Sequence, residues 1–484
     1  MLHDFNDLAH FGPSPTTQFA GAVVAFPGRS SGDIGAVSGV GAVPMVRLSE
    51  VVSALSYALD ITEGQPQGHA VRSCLIGMRL ADIIGLGPEE RSDLFYALLL
   101  KDLGCSSNAA RLCQLFGADD LTLKRAHKLT DWTDPAESAK YAYAHAVPDK
   151  NAVARAWHVA MLAKNEKGSG AEMTRTRCER GAEIARELGL SEATAQAIRV
   201  LDEHWNGLGM PAGLKGNQIP LLGRILTLSQ SMEVFAWSQG VEAAYAMARE
   251  RRGRWFDPML VDALDELEQD SAFWSTLRST DQLEHVSDLE PEDMVVLADA
   301  ERLDRVCLAF AKVIDAKTPY TAEHSEGVAR IAVEIGEEIG LKPEQLVTLR
   351  RAGLLHDIGK LGVSNLILDK PSKLTELEMS EMKKHTGYTA EILGRVECFK
   401  EFAAVAASHH ERLDGTGYHK GLKADALDQL SRILAVADIA EALSAARPYR
   451  SGMPQDKVLE VMGRLAGSAI DPGAYEALKA RFEK

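Results

Sequence analysis

The chain has 484 residues, which is enough for two or three domains that each bury a core of their own. Apolar residues make up 46% and charged residues 25%, and no apolar run is long enough to span a bilayer, which excludes a transmembrane enzyme. The net charge of −16 has the wrong sign for a protein that coats a nucleic-acid polymer through its phosphates.

The amino-terminal segment and the cysteines both favour a cytoplasmic protein. The segment MLHDFNDLAH carries acidic residues where a secretory signal carries Lys or Arg. The six cysteines lie far apart and form no CxxC pair, which argues against a disulfide framework and against a zinc ribbon. We therefore expect reduced thiols, no export and no membrane partner.

In chain order, a flexible tail is predicted to precede an all-α chain. Residues 1–45 are rich in Gly, Ser and Pro and lack sustained periodicity, so they do not bury enough surface to order themselves. From Met45 onward, apolar residues recur every three or four positions, which is typical of amphipathic helices.

Three segments of the first half recur in the same order in the second half, which predicts a duplicated helical domain. We place the two domains at 46–290 and 291–484, and the first carries an insertion near 118–170. The matching pairs are LLLKDLGCSSN (98–108) with GLLHDIGKLGV (353–363), DEHWNGLGMPAGLKG (202–216) with HERLDGTGYHKGLKA (410–424), and GRWFDPMLVDAL (253–264) with GSAIDPGAYEAL (467–478).

In the second half, polar residues fall where the helical period calls for apolar ones. His324 shares a helical stripe with Val328 and Ile335, so it is predicted to face the core. The next helical pattern runs into His356 and Asp357. These side chains are therefore expected at an interior position.

Later helices add more side chains of the same kind. His385 lies on a helix that opens with a predicted capping box formed by Thr375 and Glu378. A fourth helix carries the His pair at 409–410, and a fifth carries Asp438 on its inward face.

An inward His, taken alone, is most often a hydrogen-bonded core residue. Five imidazoles and two carboxylates buried together need partners that a metal centre supplies and an apolar core does not. Such ligands, without thiolates, suit two divalent ions bridged by one carboxylate, which clamp a phosphoester and lower the pKa of a water molecule. The set predicts phosphoester hydrolysis.

Four motifs occur in order within residues 300–480: HDIGK (356–360), HHERLDGTGYHKGL (409–422), RILAVAD (432–438) and RPYR (447–450). On these motifs the second half resembles the HD-GYP domain, a subgroup of the HD phosphohydrolases. The resemblance implies an all-helical domain that hydrolyses cyclic di-GMP to pGpG, GMP or both. It also implies a site of two or three metal ions, with iron or manganese the expected metals and two divalent ions the expected number here.

The resemblance assigns roles to particular residues. Asp357 would be the bridging carboxylate, and Lys360 matches a family lysine near the metal-bound water and phosphate, so both are candidate catalytic residues. Alternatively, Lys360 is a solvated residue at a helix end. The implied metal ligands are His324, His356, Asp357, His385, His409, His410 and Asp438.

Six further residues are candidates for substrate binding. The DGTGY glycines would let backbone approach a ligand closely, and two arginines would hold the second phosphate or the guanine bases through their planar guanidinium groups. Equally, the loop is a tight structural turn and the arginines are helix-end charges. The candidates are Asp414, Gly415, Gly417, Tyr418, Arg447 and Arg450.

Three positions depart from the family pattern. His419 replaces the proline of GYP, so the loop loses a fixed φ and gains a titratable ring. Gly327 replaces an arginine and removes a candidate phosphate contact. Tyr320 replaces the glutamate of trinuclear members, which favours two metal ions over three.

The first half keeps the frame of the repeat and loses most of the ligands. It retains His69 and Asp102, while Cys105 replaces Lys360. A lysine ammonium in place of a ligand would also repel a dication. The residues aligned with the other ligands are Lys101, Glu179, Leu201, Asp202 and Gln230.

We interpret the first half as a degenerate copy. It packs against the active half, binds a nucleotide without cleaving it, or recruits a protein partner through the extra segment. The insertion carries three histidines without ligand-like spacing, to which we assign no chemistry: His127, His145 and His158.

Three functions stay open on the sequence. The leading hypothesis is a cyclic di-GMP phosphodiesterase. In the second, the chain keeps metal and nucleotide but turns over too slowly to matter, and it acts as a receptor. In the third, the enzyme acts on another nucleotide or phosphoester, because fold and metals do not fix what the pocket admits.

Overall fold

The structure is a computed structural model that describes residues 45–165, 168–278, 286–319, 323–445 and 452–483. The predicted tail at 1–45 lies outside these ranges except for its last residue. Tyr320, Arg447 and Arg450 also lie outside the described residues.

The described residues form two compact units. The first unit contains Met45–Arg305 with Ser364–Leu366, and the second contains Val306–Val363 with Ile367–Lys484. The division falls within a single helix, Ala300–Asp315. The predicted domain boundary at 290/291 stays a prediction.

The fold is all-α, as predicted. In the described ranges, sheet structure is limited to one antiparallel pair, β1 (Val46–Arg47) with β2 (Leu297–Ala298), in which Val46 lies opposite Ala298. None of the described helices combines the length and the apolar character that a membrane crossing requires.

The described helices before the division are α1 (Leu48–Thr62), α2 (His69–Ile84), α3 (Pro88–Leu100), α4 (Ala109–Phe116), α5 (Asp120–His127), α6 (Pro135–His145), α7 (Ala152–Asn165), α8 (Ser169–Glu187), α9 (Glu192–Arg199), α10 (Leu221–Gln239), α11 (Val241–Glu250), α12 (Pro258–Glu268) and α13 (Ser271–Thr276). The next are α14 (Ala300–Asp315), α15 (His324–Ile339), α16 (Pro343–Leu355), α17 (Asn365–Leu368), α18 (Glu376–Gly394), α19 (Lys400–Ala407), α20 (Gln429–Ser444), α21 (Gln455–Gly463) and α22 (Pro472–Phe482).

Local sequence sets the ends of the helices around the site. Gly340 ends α15 in the left-handed region at φ +81°, and Pro343 opens α16 at its first turn. The capping box predicted for Thr375 and Glu378 is present at the start of α18.

The core of the second unit forms where α15 packs against α16 and α20. Val328, Ile331 and Ile335 are buried along one stripe of α15, and His324 is buried on the same stripe. Burying each such apolar side chain contributes about 1.5–3 kcal/mol, so the stripe fixes the rotation of the helix. The packing that stabilises α15 therefore also carries His324 into the interior.

Candidate metal centre

Five segments of the second unit bring the seven predicted ligands together. His324 begins α15, His356 and Asp357 directly follow α16, and His385 lies on α18. The remaining three are His409 and His410 after α19 and Asp438 on α20.

The fourth helix is shorter than the sequence predicts. It ends at Ala407, and Ser408 leaves the helical conformation at φ −97° and ψ 5°. His409 and His410 therefore lie in the turn beyond the helix, where the Nδ1 of His409 donates to the carbonyl of Ala406 at 2.7 Å.

Asp357 lies at the centre of the cluster, and its two oxygens face different histidines. Oδ2 is 3.5 Å from His324 Nε2 and 3.2 Å from His356 Nε2. Oδ1 is 3.6 Å from the Nε2 atoms of both His385 and His409. A carboxylate whose oxygens face separate groups of imidazoles has the arrangement needed to bridge two cations.

Asp438 lies beside the first of these groups. Its Oδ1 is 3.5 Å from His324 Nε2 and 3.7 Å from His356 Nε2, and its Oδ2 is 3.9 Å from His410 Nδ1. Three sets of potential metal donors lie with their atoms within 4.8 Å of one another: His324, His356 and Asp438; His356, Asp357 and His409; and His385, His409 and His410.

Two buried atoms at the centre, His356 Nε2 and Asp357 Oδ1, have no hydrogen-bond partner among the described residues. The Nδ1 atoms of His356, His385 and His409 each lie 2.7 Å from a backbone carbonyl oxygen. With Nδ1 as donor, the Nε2 lone pairs point into the cluster. The donor set and the two orphaned atoms fit divalent metal ions.

The charge states of three groups in the cluster suit cation binding. Burial lowers the pKa of His385 to about 3, and burial together with His409 lowers the pKa of His410 well below its usual range. Burial opposes ionisation of Asp357, yet His356 and Lys360 hold its pKa well below the usual value. At neutral pH, these three groups are in the deprotonated forms that ligate metals.

Glu441 is a further member of the cluster that the sequence analysis did not identify. Its Oε2 is hydrogen-bonded to His324 Nδ1. Burial alone lowers the pKa of His324, but Glu441 and Asp357 raise it to about 10. Glu441 follows Asp438 by three positions on α20, so helical spacing from a predicted ligand was the available signal.

Lys360 lies between the buried cluster and solvent. Its Nζ is 2.5 Å from Asp357 Oδ2, and its side chain is 23% exposed. The ammonium can therefore reach both the carboxylate and a molecule that enters from outside.

The DGTGY loop is shaped mainly by contacts with its own surroundings. Asp414 Oδ1 accepts from the amide and the hydroxyl of Thr416, at 2.9 and 2.6 Å. A Cβ added at Gly417 would lie 2.5 Å from the carbonyl oxygen of His410, and Gly415 adopts φ +77°. The ring of Tyr418 lies 4.8 Å from that of His410, so this residue places the loop against the cluster.

The loop keeps its form although His419 stands in the position of proline. The carboxylate of Glu411 accepts from the amides of Lys420, Gly421 and Leu422 at 2.7 to 3.1 Å. In the first unit, Glu203 accepts from two amides of the corresponding loop in the same way. The buried carboxylate, present in both loops, therefore accounts for the shared conformation.

The first unit differs from the predicted alignment at one position. A Cβ added at Gly359 would lie 1.9 Å from the carbonyl oxygen of His385, and one added at Gly104 would lie 1.9 Å from that of Arg177. Arg177 therefore takes the place of His385, and the predicted equivalence with Glu179, which is exposed, was wrong. The offset of 208 that relates Gly207 to Gly415 also relates Arg177 to His385, so extending the glycine alignment without a gap gives the observed equivalence.

Gly327 also has a structural equivalent in the first unit. Arg72 occupies that position and donates from Nε to Glu233 Oε1 at 2.7 Å, while Glu233 is bonded to His69. A Cβ added at Gly327 would lie 2.9 Å from Cγ of Glu441. Because Gly327 has no side chain, it does not donate to Glu441 as Arg72 donates to Glu233, and Glu441 remains bonded to His324.

A family model described as the HD domain matches residues 157–260 and 309–473. The chain belongs to the HD domain family, as an HD-GYP protein. The two matched stretches, one in each half, confirm the tandem HD-type domains.

Named relatives of this HD-GYP protein act on cyclic dinucleotides. The 3'3'-cGAMP-specific phosphodiesterase 3 of Vibrio cholerae serotype O1 is 45% identical over 432 residues, which are 89% of this chain and 94% of that protein. The cyclic di-GMP phosphodiesterase of Thermotoga maritima is 36% identical over 159 residues, which are 32% of this chain and 43% of that protein.

A solved structure is similar over most of the chain. It is a crystal structure of a cyclic GMP-AMP specific phosphodiesterase from V. cholerae, with 39% sequence identity and a TM-score of 0.62. The match covers 91% of this chain and 98% of that chain.

Proposed function

We propose that this HD-GYP protein is a metal-dependent phosphodiesterase that hydrolyses a 3',5' linkage of a cyclic dinucleotide, with 3'3'-cGAMP as the preferred substrate. The main support for this reaction is that His and Asp donors cluster around two buried atoms, His356 Nε2 and Asp357 Oδ1, that lack partners among the described residues. The proposed substrate differs from the cyclic di-GMP expected from sequence, and the support for it is that the relative matching 89% of the chain is named as 3'3'-cGAMP-specific.

The proposed ligand groups follow from the two sides of Asp357. His324, His356 and Asp438 would hold one ion, and His385, His409 and His410 would hold the other. Iron and manganese both suit such imidazole and carboxylate ligands. When bound, two divalent ions would polarise the phosphoester and make water more acidic.

The residues of the chain would then orient the substrate and balance its charge. Lys360 would place an ammonium beside the reacting phosphate, where it offsets negative charge that develops on the oxygens. Tyr418 would offer its ring to a base or ribose beside His410, and the Lys383 ammonium, 5.1 Å from the centre of that ring, would meet the second phosphate. Arg447 and Arg450 stay predicted substrate contacts.

Cyclic di-GMP is the second candidate substrate. The relative from T. maritima that matches part of this chain is named as a cyclic di-GMP phosphodiesterase. The two cyclic dinucleotides differ in one base, so the distinction depends on contacts to that base and not on the metal centre.

Steady-state hydrolysis by protein purified without oxygen and loaded with Mn²⁺ or Fe²⁺ tests the proposal. We expect linear dinucleotide as product, a kcat/KM for 3'3'-cGAMP above that for cyclic di-GMP, and no turnover by Asp357→Asn. The matched control is Asp102→Asn, which alters the equivalent carboxylate of the first unit and is expected to leave turnover intact.

Three results would change the proposal. Equal turnover by Asp357→Asn and the unaltered chain would remove the assignment of the site. A higher kcat/KM for cyclic di-GMP would restore the substrate expected from sequence. Saturable binding with no product over hours would favour the receptor hypothesis.

A further inference from the structure

A lysine from the insertion lies at the centre of the first unit. Lys128 follows α5, and its side chain is 8% exposed. Its Nζ is 3.2 Å from Asp102 Oδ1, 3.1 Å from Gln230 Oε1 and 3.4 Å from His69 Nε2. It also lies 3.1 Å from Oε2 of Glu63.

The first three of these partners correspond to three of the proposed metal ligands. In the repeat, the residues aligned with His69, Asp102 and Gln230 are His324, Asp357 and Asp438. In the second unit, His324 Nε2 lies 3.5 Å from each of the two carboxylates. The same three positions therefore converge in both units, and in the first unit they converge on an ammonium.

Other cations of the first unit contact Asp102 and two nearby carboxylates. Lys101 Nζ is 2.5 Å from Asp102 Oδ2, and Arg177 forms an ion pair with Asp202. In the same unit, Arg72 pairs with Glu233. Glu63, Asp102 and Cys105 come close enough together to hold a metal, but the two carboxylates already contact Lys128.

Burial favours the neutral amine of Lys128, yet Asp102 and Glu63 raise its pKa, so it is an ammonium at neutral pH. A divalent ion at the same point would be repelled by Lys101, Lys128 and Arg177. The charge of the cluster is thus balanced by side chains of the protein.

We propose that Lys128 is a built-in cation that takes the place of a metal ion in the first half, so that this half folds around an ammonium and binds no divalent metal. The insertion then has an internal function, because it supplies the charge that the degenerate copy requires. The proposal does not depend on the substrate or on hydrolysis.

The first test is a double-mutant cycle on the full chain stripped of metal with a chelator. Lys128→Met leaves Asp102 and Glu63 without this partner, and we expect the midpoint of thermal unfolding of the first unit to fall by about 10 °C. The fall should be smaller in an Asp102→Asn background, because one of the stranded charges is already absent.

Lys124→Met is the matched control. Lys124 is also buried on α5, but its ammonium contacts Thr62, Glu63 and Asp120. These partners do not include His69, Asp102 or Gln230. Its effect on the midpoint should be the same with Asp102 or Asn at position 102. An equal fall for Lys128→Met in the two backgrounds, or no fall, would overturn the proposal.

The second test measures metal uptake. In the full chain carrying His356→Ala and His409→Ala, which removes proposed ligands of the second half, we expect no bound Co²⁺ above background after dialysis and elemental analysis. About one equivalent of Co²⁺ that disappears with Asp102→Asn would overturn the proposal, because the first half would then bind metal with Lys128 in place.

A third variant covers the case in which Lys128→Met does not fold. Combining it with Glu63→Gln, Asp102→Asn and Lys101→Met removes the two charges that the ammonium contacts and the second cation that pairs with Asp102. Recovery of folding supports the proposal, and failure to recover overturns it.

Discussion

Glu441→Gln tests whether the carboxylate behind His324 positions that imidazole for metal binding. The substitution keeps the shape of the side chain and an oxygen that accepts from His324 Nδ1, but it removes the negative charge. The carboxylate is 11% exposed, so solvent replaces little of what is lost. A residue that supports a metal-ligating histidine in this way orients its ring and raises its basicity.

The expected loss of Mn²⁺ affinity depends on which interaction with His324 remains after the substitution. Loss of such a partner typically lowers metal affinity about 10- to 100-fold, which corresponds to about 1.4–2.7 kcal/mol. Because the amide oxygen still accepts the hydrogen bond, we expect about 10-fold for Glu441→Gln and about 100-fold for Glu441→Ala.

Competition with a chelating dye measures the Mn²⁺ affinity of each variant. The control is Glu233→Gln, since Glu233 makes the same bond to His69 in the first unit. It should leave the Mn²⁺ affinity unchanged. An Mn²⁺ affinity of Glu441→Gln within twofold of the unaltered chain, or an equal loss in Glu233→Gln, would show that Glu441 does not support metal binding.

Three other predictions concern catalysis, the glycine beside the cluster and pH. Lys360→Met should lower kcat about 10²- to 10³-fold at saturating metal, whereas Lys370→Met, with the same 23% exposure and a pairing to a different acid, should not; similar kinetics in both would contradict a catalytic ammonium. Gly327→Ala should lower Mn²⁺ affinity, because its Cβ would press on Glu441. The higher helix propensity of alanine should at the same time raise the free energy of unfolding, measured with urea, by up to about 1 kcal/mol. An unchanged Mn²⁺ affinity would contradict this prediction. Buried neutral His385 has a pKa of about 3 when folded and about 6.5 when unfolded, so between these values the unfolded state binds more protons. Its contribution should lower the stability of metal-free protein by up to about 1.4 kcal/mol per pH unit below 6.5. An unfolding free energy that changes equally between pH 7.5 and pH 5 in the unaltered chain and in His385→Gln would contradict this.

The helical period made much of the site predictable. His324 shares a stripe with Val328 and Ile335, and burial of that stripe necessarily carries the imidazole inward. The position of His385 on α18 was predictable because the capping box sets where that helix begins. Where a polar residue interrupts a core stripe, the fold positions it regardless of what it binds.

Residues that act through others were harder to find. Glu441 lies three positions after Asp438 on a mostly apolar helix, so spacing is a signal for it, but its bond to His324 forms only when α15 packs against α20. Lys128 and Asp102 are 26 residues apart in different segments, so no local pattern joins them. Their contact depends on how the insertion folds back, which spacing along the chain does not encode.

Register between the repeats was the other source of error. Arg177 aligns with His385 at the same offset of 208 that relates Gly207 to Gly415, so this equivalence was available from the sequence, and the glycine contacts confirm it. The helix before His409 likewise ends at Ala407, where Ser408 turns the chain towards the cluster.

Anomalous X-ray scattering at the manganese edge, from crystals of the full chain grown with Mn²⁺, would show where the chain binds metal. We expect two peaks, one on each side of Asp357, and none beside Lys128. A peak next to Asp102, or no peak at the seven predicted metal ligands of the second half, would contradict this expectation.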